Sequence, residues 1–217
     1  MQLKILLADD HEIVRSGLRS LLEQESDMDV VADVGDGRRA VELAAKLNPD
    51  VIVMDISMPG LNGTAATKRI LSESPEMKIL ALSAHTDKRF VSDMLKAGAS
   101  GYLPKSCAPE ELVKAIREIQ SGGIYLSPKI AGVVVDGFVK TGSDPDRGAG
   151  VHLSDREREV LQMIAEGKSS KEIGVAFHIS TRTVDTHRQR LMDKLDLHTI
   201  AELTKFAVRE GLTELED

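Results

Sequence analysis

The sequence predicts an α/β doubly wound domain with a five-stranded parallel sheet, followed by a small all-α domain of four helices that contains a helix-turn-helix. The first prediction rests on residues 1–121, where short apolar runs alternate with segments of helical period. The second rests on residues 151–217, which carry helical signals throughout. A chain of 217 residues is also long for one compact domain and suits two smaller ones. Residues 122–150 form the predicted linker.

Five apolar runs in the first domain are predicted to be strands. They are "KILLA" (4–8), "DVVADV" (29–34), "VIVMD" (51–55), "KILALS" (78–83) and "SGYL" (100–103). The intervening segments are amphipathic, as in "EIVRSGLRSLLEQE", "AVELAAKL" and "ELVKAIREI". The first of these places on one stripe Ile13, Val14, Gly17, Leu18, Leu21 and Leu22. Units of this spacing imply right-handed crossovers and a parallel sheet with helices on both faces.

The linker has two parts. "SPKIAGVVVDGFVK" (127–140) begins with Ser and Pro and carries apolar residues at helical spacing, so we predict a helix despite two internal glycines. "TGSDPDRGAG" (141–150) is rich in Gly, Pro and Asp without apolar periodicity, which predicts a flexible tether.

Capping signals predict the helices of the second domain. Ser or Thr is followed three residues later by Glu at Ser154, Ser169 and Thr199, which is the pattern of a capping box. Gly167 and Gly211 are predicted helix ends. A helix over 181–195, capped by Ser180, follows the "SKEIGVAF" helix after only a few residues, and this tight connection suggests a helix-turn-helix.

Composition limits the function classes. One cysteine, Cys107, excludes an internal disulfide and suits a reducing compartment. The N-terminal apolar run is too short for a signal peptide or membrane span, so we expect a soluble, cytoplasmic protein without membrane contact. The absence of Trp argues against stacking platforms for single-stranded nucleic acid.

The net charge is −7, with −4 in residues 1–121 and −3 in residues 151–217. Any DNA contact must therefore rest on local clusters of basic residues.

Polar residues gather at one edge of the predicted sheet. Asp9 and Asp10 follow the first strand, Asp55 ends the third, Ser83 ends the fourth, and Lys105 follows the fifth. Each has a structural alternative, because carboxylates and hydroxyls cap helices and a lysine is commonly a surface charge. Ligands of such sheets bind beyond the carboxyl ends of the strands, and the coincidence of all five residues there favours a site.

The chemistry of this edge predicts a magnesium-dependent phosphoryl acceptor. Three close carboxylates must protonate or bind a cation, and an oxygen-only site suits Mg²⁺, which shares its shell with phosphate. A carboxylate beside a metal can act as nucleophile toward phosphorus, and we assign that role to Asp55. Ser83 and Lys105 are then placed to bind the phosphoryl oxygens. The histidines are scattered, so no zinc site is predicted.

The motifs "LLADDH", "MDISMPGLNG", "ALSAH" and "AGASGYLPKS" resemble the flavodoxin-like receiver domain of bacterial two-component response regulators. The resemblance implies that a sensor histidine kinase phosphorylates Asp55. It also implies that Asp10 and Asp55 hold Mg²⁺ directly, that Asp9 acts mainly through water, and that the Ser57 carbonyl completes the shell. Ser83 and Tyr102 resemble the switch pair, in which the hydroxyl moves toward the phosphoryl group and the ring follows inward.

The loop after the fifth strand departs from that family's pattern. Many receivers have Pro after the lysine, whereas here Pro104 precedes Lys105 and Ser106 follows it. The geometry of this loop, including any cis peptide bond, is therefore left open by the resemblance.

The predicted helix 181–195 has a core side and an exposed side. At 100° per residue Val184, Leu191 and Leu195 share one side. The window 178–194 holds four basic and two acidic residues, a net of +2 inside a domain of −3. Taken alone, this charge pattern favours a solvated amphipathic helix, but the short turn and the exposed Arg, Gln and Thr side chains favour recognition of DNA. The candidate DNA-binding residues are Arg182, Thr183, Asp185, Thr186, His187, Arg188, Gln189 and Arg190.

The stretch "LSDREREVLQMIAEGKSSKEIGVAFHISTRTVDTHRQRLMDKL" resembles the LuxR-type DNA-binding domain, and the whole chain is similar to NarL/FixJ-family regulators. The resemblance implies that the third helix of this domain reads double-stranded DNA and that the fourth often dimerises. Asp185 stands at a position that varies in the family and helps set sequence preference. We expect weak binding by a monomer, compensated by a homodimer on two half-sites about one helical turn apart.

The resulting hypothesis is a transcriptional regulator in which phosphorylation of Asp55 shifts a pre-existing equilibrium toward a dimer and releases the DNA-binding domain. One alternative is a regulator that binds DNA regardless of phosphorylation. The other is an aspartyl-phosphate phosphatase, but such enzymes need a carboxylate two residues after the nucleophile, where this chain has Ser57. We therefore expect no enzyme activity beyond self-catalysed phosphotransfer and slow autodephosphorylation.

Overall fold

The computed structural model describes residues 2–141 and 153–213, with side chains described in the first range up to residue 135. These residues form two compact units, an N-terminal α/β unit and a C-terminal helical unit. The elements of the N-terminal unit are β1 (Leu3–Ala8), α1 (Glu12–Leu22), β2 (Met28–Val34), α2 (Gly37–Leu47), β3 (Val51–Met54), α3 (Gly63–Glu73), β4 (Lys78–Ser83), α4 (Lys88–Lys96), β5 (Gly101–Pro104), α5 (Pro109–Gln120), β6 (Tyr125–Leu126) and α6 (Pro128–Thr141). Those of the C-terminal unit are α7 (Asp155–Ala165), α8 (Ser170–Phe177), α9 (Thr181–Leu195) and α10 (Ile200–Arg209).

The sheet is parallel throughout, with strand order β2-β1-β3-β4-β5-β6. The order reverses between β1 and β3, so a crevice opens beyond the carboxyl ends of these two strands. The parallel sheet and its alternation with helices confirm the predicted fold class. The predicted number of strands was one too low, because β6 has only two residues and shows no periodicity of its own. It forms by pairing Tyr125 with Gly101 and Leu126 with Tyr102 at the edge of the sheet.

The strands are buried on both faces, which explains why their sequences read as continuous apolar runs. Alternate residues of the central strands, such as Ile5, Val53 and Leu80, pack with Leu112 and Ile116 of α5 in one core cluster. The residues between them, including Leu6, Ile52 and Ile79, are fully buried on the other face. The core therefore holds the strand ends rigidly in place.

Helix α1 differs from its predicted stripe in one respect. Leu22 is fully buried and Leu18 and Leu21 pack against the core, but Ile13 is 88% exposed. The periodicity identified the helix correctly. It did not show that Ile13, in the first turn of α1, is exposed.

The predicted linker helix is present as α6, and it belongs to the N-terminal unit. It contacts α4 and β6, and Ile130 is fully buried. The side chain of Ser127 accepts a hydrogen bond from the backbone N–H of Ile130 at 3.5 Å, near the start of the helix. The predicted tether over 141–150 falls, from residue 142 on, outside the described residues.

The three predicted capping boxes of the helical unit are all formed, at Ser154, Ser169 and Thr199. Ser180 caps α9 by accepting from the Thr183 N–H. The core contains residues of all four helices and Leu212, which follows α10. The helical residues are Val160, Leu161, Met163, Ile164, Ile173, Phe177, Val184, Leu191, Leu203 and Ala207. Helices α8 and α9 are joined by three residues, which gives the predicted helix-turn-helix connection.

None of the helices in the described ranges has both the length and the apolar character needed to cross a bilayer.

Candidate functional site

The carboxylates predicted to gather at the sheet edge lie together. Asp9 and Asp55 follow Ala8 and Met54, which are paired residues of neighbouring strands β1 and β3. Both aspartates are 2% exposed, whereas Asp10 is exposed. Oxygen atoms of these three residues and a ring nitrogen of His11 all lie within 4.8 Å of one another. The reversal of strand order thus creates an acidic pocket, defined here by Asp9, Asp10, His11 and Asp55.

Lys105 provides the positive charge of the acidic pocket. Its ammonium lies 2.7 Å from Asp55 Oδ2 and 2.8 Å from Asp9 Oδ2. The backbone N–H of Lys105 donates to the Ser83 carbonyl at 2.8 Å, which holds the end of β5 beside the end of β4. No peptide bond in the described ranges is cis, so the loop with Pro104 before Lys105 delivers the ammonium through trans peptides.

Burial controls the charge of Asp55. It raises the pKa of this carboxyl to about 6, the Lys105 ammonium lowers the pKa, and the Asp9 and Asp10 carboxylates raise it. Burial alone would lower the pKa of Lys105, but the carboxylates of Asp55 and Asp9 outweigh it and raise the pKa. The lysine is therefore a fixed cation, and the Asp55 carboxyl loses its proton closer to neutral pH than an exposed aspartate does.

The donor atoms of the acidic pocket fit a hard divalent cation. Carboxylate oxygens of Asp9, Asp10 and Asp55 converge, and an oxygen-rich set with few protein ligands is the environment that Mg²⁺ prefers. The ring Nδ1 of His11 lies 2.9 Å from Asp10 Oδ1 and orients that exposed carboxylate. A backbone N–H of Ile56 donates to Asp55 Oδ1 at 2.7 Å and fixes the rotation of the central carboxylate.

Ser83 and Tyr102 are buried on neighbouring strands β4 and β5. The Ser83 hydroxyl accepts from the His85 N–H at 3.1 Å, and the Tyr102 hydroxyl donates to the His85 carbonyl at 2.8 Å. Burial raises the pKa of Tyr102 to about 12, so its hydroxyl stays a donor. The Tyr102 ring already lies inward in this structure. Both predicted switch residues thus meet at the backbone of His85, whose ring stacks on Phe90 at 4.1 Å.

The chain passes closely behind Asp55 at the start of α3. A Cβ atom on Gly63 would lie 1.9 Å from the Asp55 carbonyl oxygen, and the Gly63 N–H donates to the Ile56 carbonyl at 2.8 Å. Only glycine leaves room for this approach. Ser57, two residues after Asp55, is half-buried in the loop that Gly63 closes.

The predicted DNA-binding residues lie on α9 as the projection indicated. Val184 and Leu191 are buried, and Arg182, Thr183, Thr186, Gln189 and Arg190 are exposed. His187 and Arg188 are half-buried on the flanks of the helix. Several of the polar groups have partners within the unit: Thr186 donates to the Arg182 carbonyl, Gln189 donates to Asp193, and Asp185 accepts from Ser170.

Comparison with known proteins assigns both units. Residues 5–117 match the response regulator receiver domain, and residues 151–207 match the luxR family of bacterial regulatory proteins. The response regulator UvrY of Escherichia coli (strain K12) is 37% identical over 214 residues, which cover 99% of this chain and 97% of that protein. This chain belongs to the NarL/FixJ family of response regulators.

Two solved structures extend the comparison of this response regulator. RcsB from Salmonella enterica serovar Typhimurium, bound to promoter P1flhDC in the presence of the phosphomimetic BeF₃⁻, is 27% identical with a TM-score of 0.61, over 98% of this chain and all of that one. A structure of two RcsB dimers bound to two parallel DNAs is 26% identical with a TM-score of 0.59, over 96% of this chain and 98% of that one. The chain is thus a DNA-binding response regulator of a two-component system.

Two contacts of this response regulator were missed at the level of sequence. Arg15 of α1 donates to the Asp9 carbonyl at 2.7 Å and lies 3.2 Å from Asp33 of β2, so it holds the loop that carries the acidic pocket. His11 was absent from the predicted site, although its ring lies in the acidic pocket. The adjacency of His11 to two aspartates was a signal for its role. The role of Arg15 depends on a carbonyl six residues earlier, which no sequence pattern marks.

Proposed function

We propose that a sensor histidine kinase transfers a phosphoryl group to Asp55, and that this transfer switches DNA binding by α9 through formation of a homodimer. The observation that carries the proposal is the buried Asp55 carboxylate, which shares the Lys105 ammonium with Asp9 and lies within the acidic pocket. The site therefore combines a nucleophile, a fixed cation and a set of oxygen atoms that can bind a metal ion.

In the transfer, an Asp55 oxygen attacks phosphorus and the bond from phosphorus to the kinase histidine nitrogen breaks. The electron pair of that bond stays on the imidazole, which takes up a proton from water. Asp55 is then an acyl phosphate, and the transfer is complete. Lys105, 2.7 Å from the carboxylate, is placed to offset charge on the phosphoryl oxygens.

The carboxylates of Asp9, Asp10 and Asp55 converge in the acidic pocket and would hold Mg²⁺. The resemblance to receiver domains implies that Asp10 and Asp55 would bind the ion directly, Asp9 mainly through water, and that the Ser57 carbonyl would complete the set. When bound by these residues, the ion would supply positive charge that offsets the negative charge developing during transfer. Three features of the chain keep the carboxylates close together. They are the paired ends of β1 and β3, the hydrogen bond from Arg15 to the Asp9 carbonyl, and the close packing of Gly63 against Asp55.

Ser83 and Tyr102 would carry the signal away from Asp55. A phosphoryl group adds close to two negative charges and new acceptor oxygens. The Ser83 hydroxyl can leave the His85 N–H and donate to these oxygens, and this would free the backbone segment to which Tyr102 is also bonded. The loop before α4 is therefore the part of the N-terminal unit that responds.

The DNA-reading residues would be those of the exposed side of α9 and its flanks. Arg182, Arg188 and Arg190 supply attraction to phosphates, and Asp185, Thr186 and Gln189 supply groups that can bond base edges. A dimer would place two copies of α9 on two half-sites, which compensates for the small positive charge of each copy. The solved RcsB structures, with dimers and with promoter DNA, support this reading.

The test is intact mass after incubation with a small-molecule phosphodonor and Mg²⁺. We expect the wild type to gain one phosphoryl group, and the gain to disappear with a chelator. Asp55→Asn, which keeps the shape of the side chain, should gain nothing. Equal labelling of Asp55→Asn, or labelling that is independent of the cation, would contradict the assignment of Asp55 or of the metal site.

A further inference from the structure

Ser170, the first residue of α8, makes a contact that its own helix does not need. The preceding residue, Ser169, already caps α8 by accepting from the Glu172 N–H at 3.3 Å. The Ser170 hydroxyl instead donates to Asp185 Oδ1 at 2.7 Å, on the neighbouring helix α9. Among the described residues Asp185 is its hydrogen-bond partner, so this hydroxyl links the first helix of the helix-turn-helix to the reading helix.

The Asp185 carboxylate is held by one oxygen and open at the other. Oδ1 accepts from Ser170 and lies 3.4 Å from Arg188 Nη2, one helical turn further along α9. No hydrogen bond within the described ranges reaches Oδ2. The side chain remains 49% exposed, so Oδ2 can reach an external group. The carboxylate is thus oriented before DNA arrives, and less side-chain entropy is lost on binding.

We propose that Ser170 is a positioning residue for sequence specificity, which aims Asp185 Oδ2 at the N4 amino group of one cytosine in each half-site. A carboxylate only accepts hydrogen bonds, so it needs a donor from the base. In the major groove cytosine presents such a donor, whereas guanine presents acceptors at N7 and O6 and thymine presents one at O4.

The same chemistry explains why a carboxylate is tolerated on a DNA-reading surface. An acidic side chain near the phosphates costs affinity on every sequence, and the loss is recovered where an amino group meets it. Guanine or thymine at that position would leave two acceptors facing each other. Adenine is intermediate, because its N6 donor stands beside the N7 acceptor.

The experiment is selection of a randomised double-stranded DNA library by the full-length protein, with and without a phosphodonor. The wild type should enrich sites in which one position of each half-site prefers cytosine. Ser170→Ala should lower that preference by roughly fivefold or more, within the range for loss of one specific base contact, and leave the other positions unchanged. Asp185→Asn should flatten the same position, because an amide can either accept or donate.

Two controls separate positioning from general effects. Ser170→Thr keeps the hydroxyl donor and should restore the cytosine preference. Lys171→Ala removes the neighbouring exposed cation and should weaken binding to all sites alike. Thermal unfolding of each variant checks the fold, and Asp185→Asn and Ser170→Thr carry the test if Ser170→Ala unfolds.

Three results would overturn the proposal. One is a wild-type preference with no cytosine position, or with none that Asp185→Asn changes. Another is an identical set of enriched sites for Ser170→Ala and the wild type. A third is a loss of preference at all positions together in Ser170→Ala, since this would mean that the hydroxyl supports the fold of the domain and not the aim of one carboxylate.

Discussion

At the residue scale, Asp55 is an ionisable side chain in a buried position, and burial opposes its ionisation. It is 2% exposed, and burial raises its pKa from 3.8 to about 6. Since this pKa is raised on folding, the folded protein binds the proton more tightly than the unfolded chain does. The associated stability is present at low pH and is lost as pH rises from about 4 through 6. Near neutral pH the ionised Asp55 carboxylate therefore lowers the free energy of unfolding, and a bound cation would offset this loss.

This predicts that Asp55→Asn is more stable than the wild type above about pH 7 in the presence of a chelator. The expected gain in the free energy of unfolding is up to about 3 kcal/mol, which corresponds to a shift of roughly two pKa units that already includes the attraction of Lys105. The gain should shrink as pH falls below 6. Urea unfolding at several pH values measures it.

Asp29→Asn, at an exposed carboxylate of β2, is the matched control and should change little. A stability difference between Asp55→Asn and the wild type that does not vary with pH would contradict the electrostatic explanation.

At the element scale, the β3–α3 connection places Asp55. The strand ends at Met54, and the chain must return within a few residues to begin α3 at Gly63. The Asn62 side chain accepts from the Ala65 N–H and caps this helix. Because the Gly63 backbone packs against the Asp55 carbonyl, the turn and the strand end are a single packed unit.

We predict that Gly63→Ala lowers the free energy of unfolding by roughly 1–3 kcal/mol or more and slows phosphorylation of Asp55. The new methyl group would overlap the Asp55 carbonyl, and the backbone on both sides would have to shift. Thermal unfolding and the rate of phosphoryl gain measure the two effects.

Gly132→Ala in α6 is the matched control. A Cβ there meets no atom within 4 Å, so the change should be neutral or slightly stabilising. Wild-type stability together with a wild-type rate for Gly63→Ala would show that the loop tolerates a side chain and does not set the position of Asp55.

At the scale of the whole molecule, charge limits how DNA can be bound. The chain has a net charge of −7, and the positive charge near α9 is local. Sequence-independent attraction to DNA is therefore small for one copy, and we expect tight binding to require two copies on adjacent half-sites.

This predicts that phosphodonor and Mg²⁺ convert the protein to a dimer and raise its affinity for its DNA site by at least about tenfold, through the gain in effective concentration. Sedimentation and DNA titration at fixed salt measure the two changes. Asp55→Asn should show neither. Equal DNA affinity of Asp55→Asn and of the phosphorylated wild type would favour a regulator that is independent of phosphorylation.

Local patterns were sufficient for most of the fold. Apolar runs marked five of the six strands, capping residues marked the helix starts of the second unit, and the order of the elements implied a parallel sheet. The convergence of Asp9, Asp10, Asp55 and Lys105 could also be predicted, because parallel strands bring their carboxyl ends to one edge.

The sequence by itself therefore determined the fold class, the helix boundaries set by capping, and the three aspartates of the acidic pocket, since these depend on periodicity and on the order of the strand ends. Only the tertiary structure decided that β6 pairs with β5, that Ile13 stays exposed, that His11 and Arg15 contact the residues of the pocket, and that Ser170 donates to Asp185. The physical reason is that each of these features needs a partner from another element. Such a partner is set by packing, and no periodicity records it.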